Sequence, residues 1–274
     1  MRTTSPAKAL GLAGLLLLTA AGFAMPLVAM VVKSLEPMPA RTISDPKSPI
    51  PDGATITSTP LPGSAYAEAW TSPVADFPLY LHNSVVIALF STLGMVVSSA
   101  VIAFGFSRLQ WKWRDRLFVV VLATLMVPFP VIMAPLYLVF RSLGWIGTFL
   151  PLIVPAWFGG AFSIYLLRQF FLTIPRELDE AARLDGCSEA GVFLRIILPT
   201  AAPALGVVAL LQLVASWNDF LGPLLFLNHQ DHYPVSLGLH MYQSQHGGAE
   251  WNVTMAATMI AIAPVVVLFV MARR

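Results

Sequence analysis

The residues best placed to do chemistry lie between Pro175 and Pro203, in the stretch PRELDEAARLDGCSEAGVFLRIILPTAAP. Glu177, Asp179, Glu180, Asp185 and Glu189 are interspersed there with Arg176, Arg183 and Arg195, a set suited to ion pairs and charge-assisted hydrogen bonds with another macromolecule. Acids that at least match the bases argue against nucleic acid, because attraction to phosphate needs net positive charge. Reactive side chains are otherwise sparse. Cys187 is the single cysteine, so no internal disulfide can form, and no His or basic cluster at motif spacing activates it. His82, His229, His232, His240 and His246 match no standard metal spacing, so neither a metal nor another cofactor is expected. The chain lacks H-E-x-x-H, and it lacks the nucleotide-binding G-x-x-x-x-G-K-[ST], since none of Lys8, Lys33, Lys47 and Lys112 follows a glycine. Any ATP hydrolysis is therefore expected in a different chain.

The polar stretch has its own local structure. Pro175 suits the first position of a helix, and Glu177, Asp179 and Glu180 put negative charge where the helix dipole favours it. A short helix is expected as far as Leu184. Asp185 and Gly186 supply turn chemistry, Gly186 being able to take a positive φ, and Ser188 can cap a second helix. On that second helix Phe193, Ile196 and Ile197 fall at i, i+3 and i+4, an apolar stripe that leaves Glu189 and Arg195 wet; Pro199 ends it. From the residues alone three readings stay open: a solvated connector, a DNA-binding helix–turn–helix, or a docking surface for a soluble partner.

The elements that must hold this stretch are membrane spans. The chain is 57% hydrophobic and 11% charged over 274 residues, against about 25% charged in globular proteins. It reads as an all-α, polytopic membrane protein with six transmembrane helices. The first apolar run, 9–32, exceeds the 7–15 residues typical of a signal-peptide core and has no convincing cleavage site after it, so a retained span is expected. Residues 33–82 form a Pro-rich external loop, with a short helix expected around Tyr66–Trp70. A core, 83–274, carries the other five spans, at 84–106, 117–140, 149–171, 201–227 and 253–271, with the polar loop 175–203 inside it. Asn83 and Ser84 are available to cap the second span, and Pro128, Pro130 and Pro135 interrupt the third, which should therefore face the bundle interior. Placing both termini in the cytoplasm puts twelve of the sixteen Lys and Arg on that side and leaves Lys33, Arg41, Lys47 and Arg141 outside, with all five histidines.

Glu180-Ala181-Ala182, then Gly186, then Ile196 with Leu198-Pro199, resembles the EAA loop of ABC-importer permeases, although Cys187 stands where Ala is usual. Asn83-Ser84, Pro135-Leu136-Tyr137, Leu143-Gly144, Leu167-Arg168-Gln169-Phe170-Phe171, Ile174-Pro175 and Trp217-Asn218-Asp219-Phe220 are similar to the carbohydrate branch, to permeases like the maltose-system G subunit. The likeness covers the chain from Phe77 onward. It departs in the long Pro-rich external loop and in the lack of a tail after the sixth span, which leaves only Arg273 and Arg274 to reach the ATPase.

The resemblance implies a sugar-importing permease of the bacterial cytoplasmic membrane that works by alternating access. Its partners would be a second homologous permease, two ATPase subunits, an external solute-binding protein and the bilayer. The loop around Glu180, Ala181, Ala182, Asp185, Gly186, Ile196, Leu198 and Pro199 would couple it to the ATPase. Gln212, Ser216, Trp217, Asn218 and Asp219 could line the pathway, since sugars favour aromatic faces and hydrogen-bonding groups, and they suit helix packing or capping equally. The alternatives are a permease for another solute, such as glycerol phosphate, and an ion-coupled secondary transporter. The second would normally carry ionisable groups in mid-membrane, and the spans hold almost none, Asp219 being the nearest.

Overall fold

The computed structural model describes residues 6–36, 63–71, 75–245 and 251–272. Their helices, in chain order, are α1 (Pro6–Leu35), α2 (Ser64–Thr71), α3 (Phe77–Ser107), α4 (Arg114–Ala123), α5 (Phe129–Ser142), α6 (Leu150–Ile153), α7 (Ala161–Thr173), α8 (Arg176–Leu184), α9 (Glu189–Val192), α10 (Leu198–Thr200), α11 (Ala202–Trp217), α12 (Leu221–Phe226), α13 (Val235–Gln245) and α14 (Trp251–Ala272). No strand occurs among the described residues. Three stretches, Ala13–Leu35, Phe77–Ser107 and Leu150–Thr173, are long and apolar enough to cross a membrane. Two bent pairs, Arg114–Met126 with Phe129–Ser142 and Glu189–Thr200 with Ala202–Trp217, raise that to five if each pair is one span.

The chain divides into two units. One comprises Met1–Phe77 with Leu239–Phe269. In it α1 leaves Leu15, Leu16, Leu17, Leu18 and Phe23 exposed along its length, as a helix facing lipid or another chain must. Ser34, at its end, shares a 2.7 Å hydrogen bond with the Tyr66 hydroxyl, which docks the short α2; that helix, Ser64–Thr71, covers the interval expected around Tyr66–Trp70. Much of the Pro-rich loop lies outside the described residues.

The other unit, Pro78–Gly238 with Val270–Arg274, holds the polar stretch. Its α3 is apolar all round, so small and polar residues select the buried side: Tyr80, Ser84, Ile87, Ala88 and Ser91 recur at helical spacing. The helix begins at Phe77, so Asn83 and Ser84 are interior residues and do not cap it. Both are buried and bind the main chain of a distant segment instead. Asn83 Nδ2 donates to the carbonyls of Asp231 (2.8 Å) and Tyr233 (3.1 Å), and Ser84 Oγ accepts from the Val235 amide (2.8 Å).

Prolines and glycine break the remaining spans. Pro128 separates α4 from α5 with a 100° bend. Around the break Met126 is 85% exposed in the single chain. The freed main-chain groups are satisfied locally, Val127 N–H by Thr124 O and Val131 N–H by Pro128 O, so no neighbouring helix is needed for them. Gly159, at φ +82°, divides the 150–173 span just before α7; a side chain there would press on Ile102 and Ile164 as well as strain the backbone.

Candidate functional site

The polar stretch folds as two short helices joined by a tight turn. Pro175 is extended (φ −56°, ψ 137°) and stands one position ahead of the expected site, directly before α8. Gly186 has φ +81°. Cys187 N–H bonds Ala182 O (2.9 Å) and Gly186 N–H bonds Arg183 O (3.0 Å), the paired bonds of a Schellman closure. Ser188 then caps α9 by accepting from Gly191 N–H at 3.2 Å. Residues Phe193–Ile197 form a π-turn, and the helix continues through Pro199 to Thr200, one residue beyond its expected end, before a 76° bend into α11. Arg183 clamps the turn, its Nε donating to Glu189 Oε1 (2.8 Å) and its Nη2 to Oε2 (3.2 Å). Glu189's hydrogen bond from Arg183 holds its carboxyl below the ordinary range, and the same bond raises Arg183.

One face of this hairpin is core. Ala182, Val192 and Ile197 are buried against Ala100, Ala103 and Phe104 of α3, Leu167 and Phe171 of α7, and Ala204 and Val208 of α11. Ile196 and Leu198 are half-buried beside them, and the Phe104 and Phe193 rings meet at 5.0 Å. The other face is free. Glu180, Ala181, Asp185, Gly186 and Pro199 are exposed, so the Glu180-Ala181-Ala182 triplet divides, with only Ala182 pointing inward. Leu178, Ala181 and Leu184 add an apolar ridge at three-residue spacing, and Leu184 is 89% exposed. An acid, a ridge of apolar side chains and a turn thus lie together on the surface.

A buried ion pair joins the hairpin to the spans. Arg108, the residue after α3, places Nη1 3.0 Å from Asp179 Oδ2, with the two side chains 2% and 3% exposed. Its Nη2 donates to Phe171 O (2.5 Å) and Ile174 O (2.7 Å), carbonyls at the C-terminal end of α7, where a cation also complements the helix dipole. Burial lowers the Arg108 pKa below its ordinary value, and the neighbouring Asp179 carboxylate opposes that shift. Removing one partner of such a pair typically costs about 3–5 kcal/mol, because the other charge is left buried alone. Arg108 Nε and Asp179 Oδ1 are buried without hydrogen-bond partners.

The second polar patch sits at the far end of α11. Trp217 is buried, and Ser216 accepts from Ser91 Oγ of α3 at 3.1 Å. Asn218 is exposed and donates to Val214 O (2.8 Å) on its own helix. Asp219 accepts from Gly222 N–H (3.1 Å) at the start of α12, and its carbonyl receives Ser236 Oγ (2.7 Å). Gln212 is half-buried on α11. The five therefore share one region but not one surface. Of the histidines in the same part of the chain, His232 contacts Gly147 O through Nδ1 at 2.7 Å; His246 lies outside the described residues.

Residues 91–274 match the family of binding-protein-dependent transport system inner membrane components. The chain belongs to that family. This permease is 36% identical over 205 residues to the trehalose/maltose transport system permease protein of Thermococcus litoralis, covering 74% of its own length and 73% of that protein. It is 33% identical over 195 residues to the arabinooligosaccharides transport system permease protein of Halalkalibacterium halodurans, covering 71% and 69%. A solved bacterial ABC transporter involved in the import of the polysaccharide alginate has the same fold, with a TM-score of 0.79 over 100% of this chain and 99% of that one at 20% identity. The permease is a transport subunit of the inner membrane; it is not an enzyme, and the ATPase is a separate subunit. Permeases of this family work with a second permease, with ATPases and with an external binding protein.

Sequence reasoning found the hairpin and missed what secures it. Arg108 reads as one more cytoplasmic base and Asp179 as a dipole-favoured acid; nothing local pairs them. Leu178 and Leu184 could have been found from their spacing with Ala181 on a helix otherwise rich in charge.

Proposed function

We propose that this permease imports a sugar or oligosaccharide and that the α8–α9 hairpin is its coupling element for the ATPase. The observation that carries the reading is the two-faced hairpin, with Ala182, Val192 and Ile197 in the core and Glu180, Ala181 and Leu184 turned outward on a Schellman turn. The sugar assignment draws on relatives named for arabinooligosaccharides and for trehalose and maltose. Six spans follow if α1, α3, α4 with α5, α6 with α7, α11 with α12, and α14 each cross once. Both termini are then cytoplasmic, with 1–32 as the first span, 33–82 external and 83–274 the permease core containing the coupling loop 175–203. ATP closes the ATPase dimer, the hairpin moves with it, and the spans open toward the binding protein. Gln212, Ser216, Trp217, Asn218 and Asp219 remain the proposed pathway residues.

Gly186→Val tests the coupling role. A Cβ at Gly186 would meet nothing within 4 Å, so the variant suffers backbone strain and no clash. A β-branched residue at φ +81° costs about 1 kcal/mol or more, and the hairpin relieves it by changing its angle, which misplaces the docking face. Uptake is expected to be abolished with normal membrane levels. Glu180→Lys is expected to impair ATPase assembly or to uncouple hydrolysis from uptake. Near-normal uptake by both variants would return the hairpin to a simple connector. For orientation, an impermeant thiol reagent on intact cells should miss Cys187 and label Gly248→Cys; the reverse pattern would overturn the topology.

A further inference from the structure

We propose that Arg108 and Asp179 form the link through which movement of the docked α8 is passed to α3 and α7, with Arg108 a positioning residue for transport. The inference rests on the reading of the hairpin as the ATPase-docking element. One guanidinium touches three segments: it extends from the end of α3, pairs with Asp179 of α8 at 3.0 Å, and donates to Phe171 O and Ile174 O at the end of α7. The apolar contacts around Ala182 and Val192 also join these helices, but hydrophobic contact is non-directional and lets helices slide. The planar, rigid fork of an arginine fixes direction as well as distance. Because both charges are almost fully buried, separating them would strand each in a place that cannot solvate it, so α8 cannot move away from α3 alone.

The link is also not saturated. Arg108 Nε and Asp179 Oδ1 have no partners and sit at the pair itself. Tilting α8 can therefore exchange one N–H···O bond for another while the charges stay together. A cavity of about 300 Å³ beside the pair, lined by Gln110, Arg176, Glu180, Arg183 and Glu189 as well, leaves room for such a tilt. The joint is accordingly strong against separation, and within the directions its fork offers it can step from one bond to another, which is what a coupling helix needs if it is to stay attached through a transport cycle.

The test uses the complete transporter, with its ATPase, second permease and binding protein, in proteoliposomes. Two quantities are read: ATPase retained on the purified permease, and solute taken up per ATP hydrolysed. Single variants of the pair are liable to misfold, so the decisive variant is R108Q/D179N, which removes both charges at similar size and leaves neither buried alone. It is expected to retain the ATPase at close to the parent level and to lose about tenfold or more in uptake per ATP, the ordinary scale of coupling between sites. R108K, which keeps the charge but not the fork, is expected to assemble and to stay poorly coupled. Uptake per ATP within about twofold of the parent for either variant would overturn the proposal, since a salt bridge of purely structural value changes the amount of transporter and not that ratio. Failure of the double variant to assemble would overturn it as well, by showing that the pair serves folding. If the docking reading itself is wrong, the outcome differs: Glu180→Lys and Gly186→Val transport normally whatever the pair does.

Discussion

The two ends of α3 are both pinned by buried polar side chains, with different chemistry. At one end Asn83 and Ser84 bind the main chain of 231–235, and Gln230 donates to the Tyr80 hydroxyl at 2.8 Å. These contacts are neutral and directed mainly at backbone groups. At the other end Arg108 holds Asp179 and two carbonyls of α7, with one nitrogen and one oxygen of the pair unpartnered. A neutral, main-chain lock belongs to a part of the molecule that keeps its shape. A charged link with spare bonding capacity belongs to a part that changes orientation without coming apart. On the proposal made above, the same helix has a fixed end and a jointed end, and the joint lies beside the α8–α9 hairpin.

This contrast can be broken by experiment. The largest effect is expected from Arg108→Gln alone, which leaves Asp179 buried and unpaired and should cost about 3–5 kcal/mol, seen as a large drop in thermal midpoint of the detergent-solubilised permease. A change below about 1 kcal/mol would mean that water reaches the pair and that the ends of α3 are not so different.

Asn83→Leu should come next. It removes the donor to Asp231 and Tyr233 and leaves two carbonyls unmet, for about 1–3 kcal/mol, but uptake per ATP should stay at the parent value once corrected for the amount of protein. A fall in that ratio comparable with the Arg108 and Asp179 double variant would show that both ends are joints.

The smallest effect belongs to Glu189→Gln, which weakens the half-exposed clamp to Arg183 by about 0–1 kcal/mol in thermal melts. The sign with pH follows from the depressed carboxyl. Its contribution is present above the ordinary Glu value of 4.5 and is lost as pH falls through the lower folded-state value, so parent and variant should converge in acid and differ slightly at neutral pH. A difference that grows on acidification would contradict the assigned hydrogen bond.

What was legible in the chain was whatever depends on neighbours in sequence. The hairpin could be read because its signals act within a few residues: Gly186 does take a positive φ, Ser188 does cap α9, and Phe193, Ile196 and Ile197 do turn toward the core. The helical class and the long apolar stretches were readable because a bilayer demands runs of apolar residues whose backbone bonds close within the segment. The start of α3 was misjudged because a buried Asn and Ser look like caps until their partners are known, and those partners lie 148 to 151 residues away. The break at Pro128 was visible, but not that turn bonds within its own segment would close around it.

By itself, then, the sequence determined an all-helical membrane chain, the place of its polar hairpin and the turn chemistry that shapes it, because hydrophobic runs, caps and positive-φ glycines are local physics. Only the tertiary structure decided which charges meet. Arg108 and Asp179 are ordinary surface residues by type, and their meaning comes from the packing of α3, α7 and α8, which buries the two side chains and gives the guanidinium its partners within the protein.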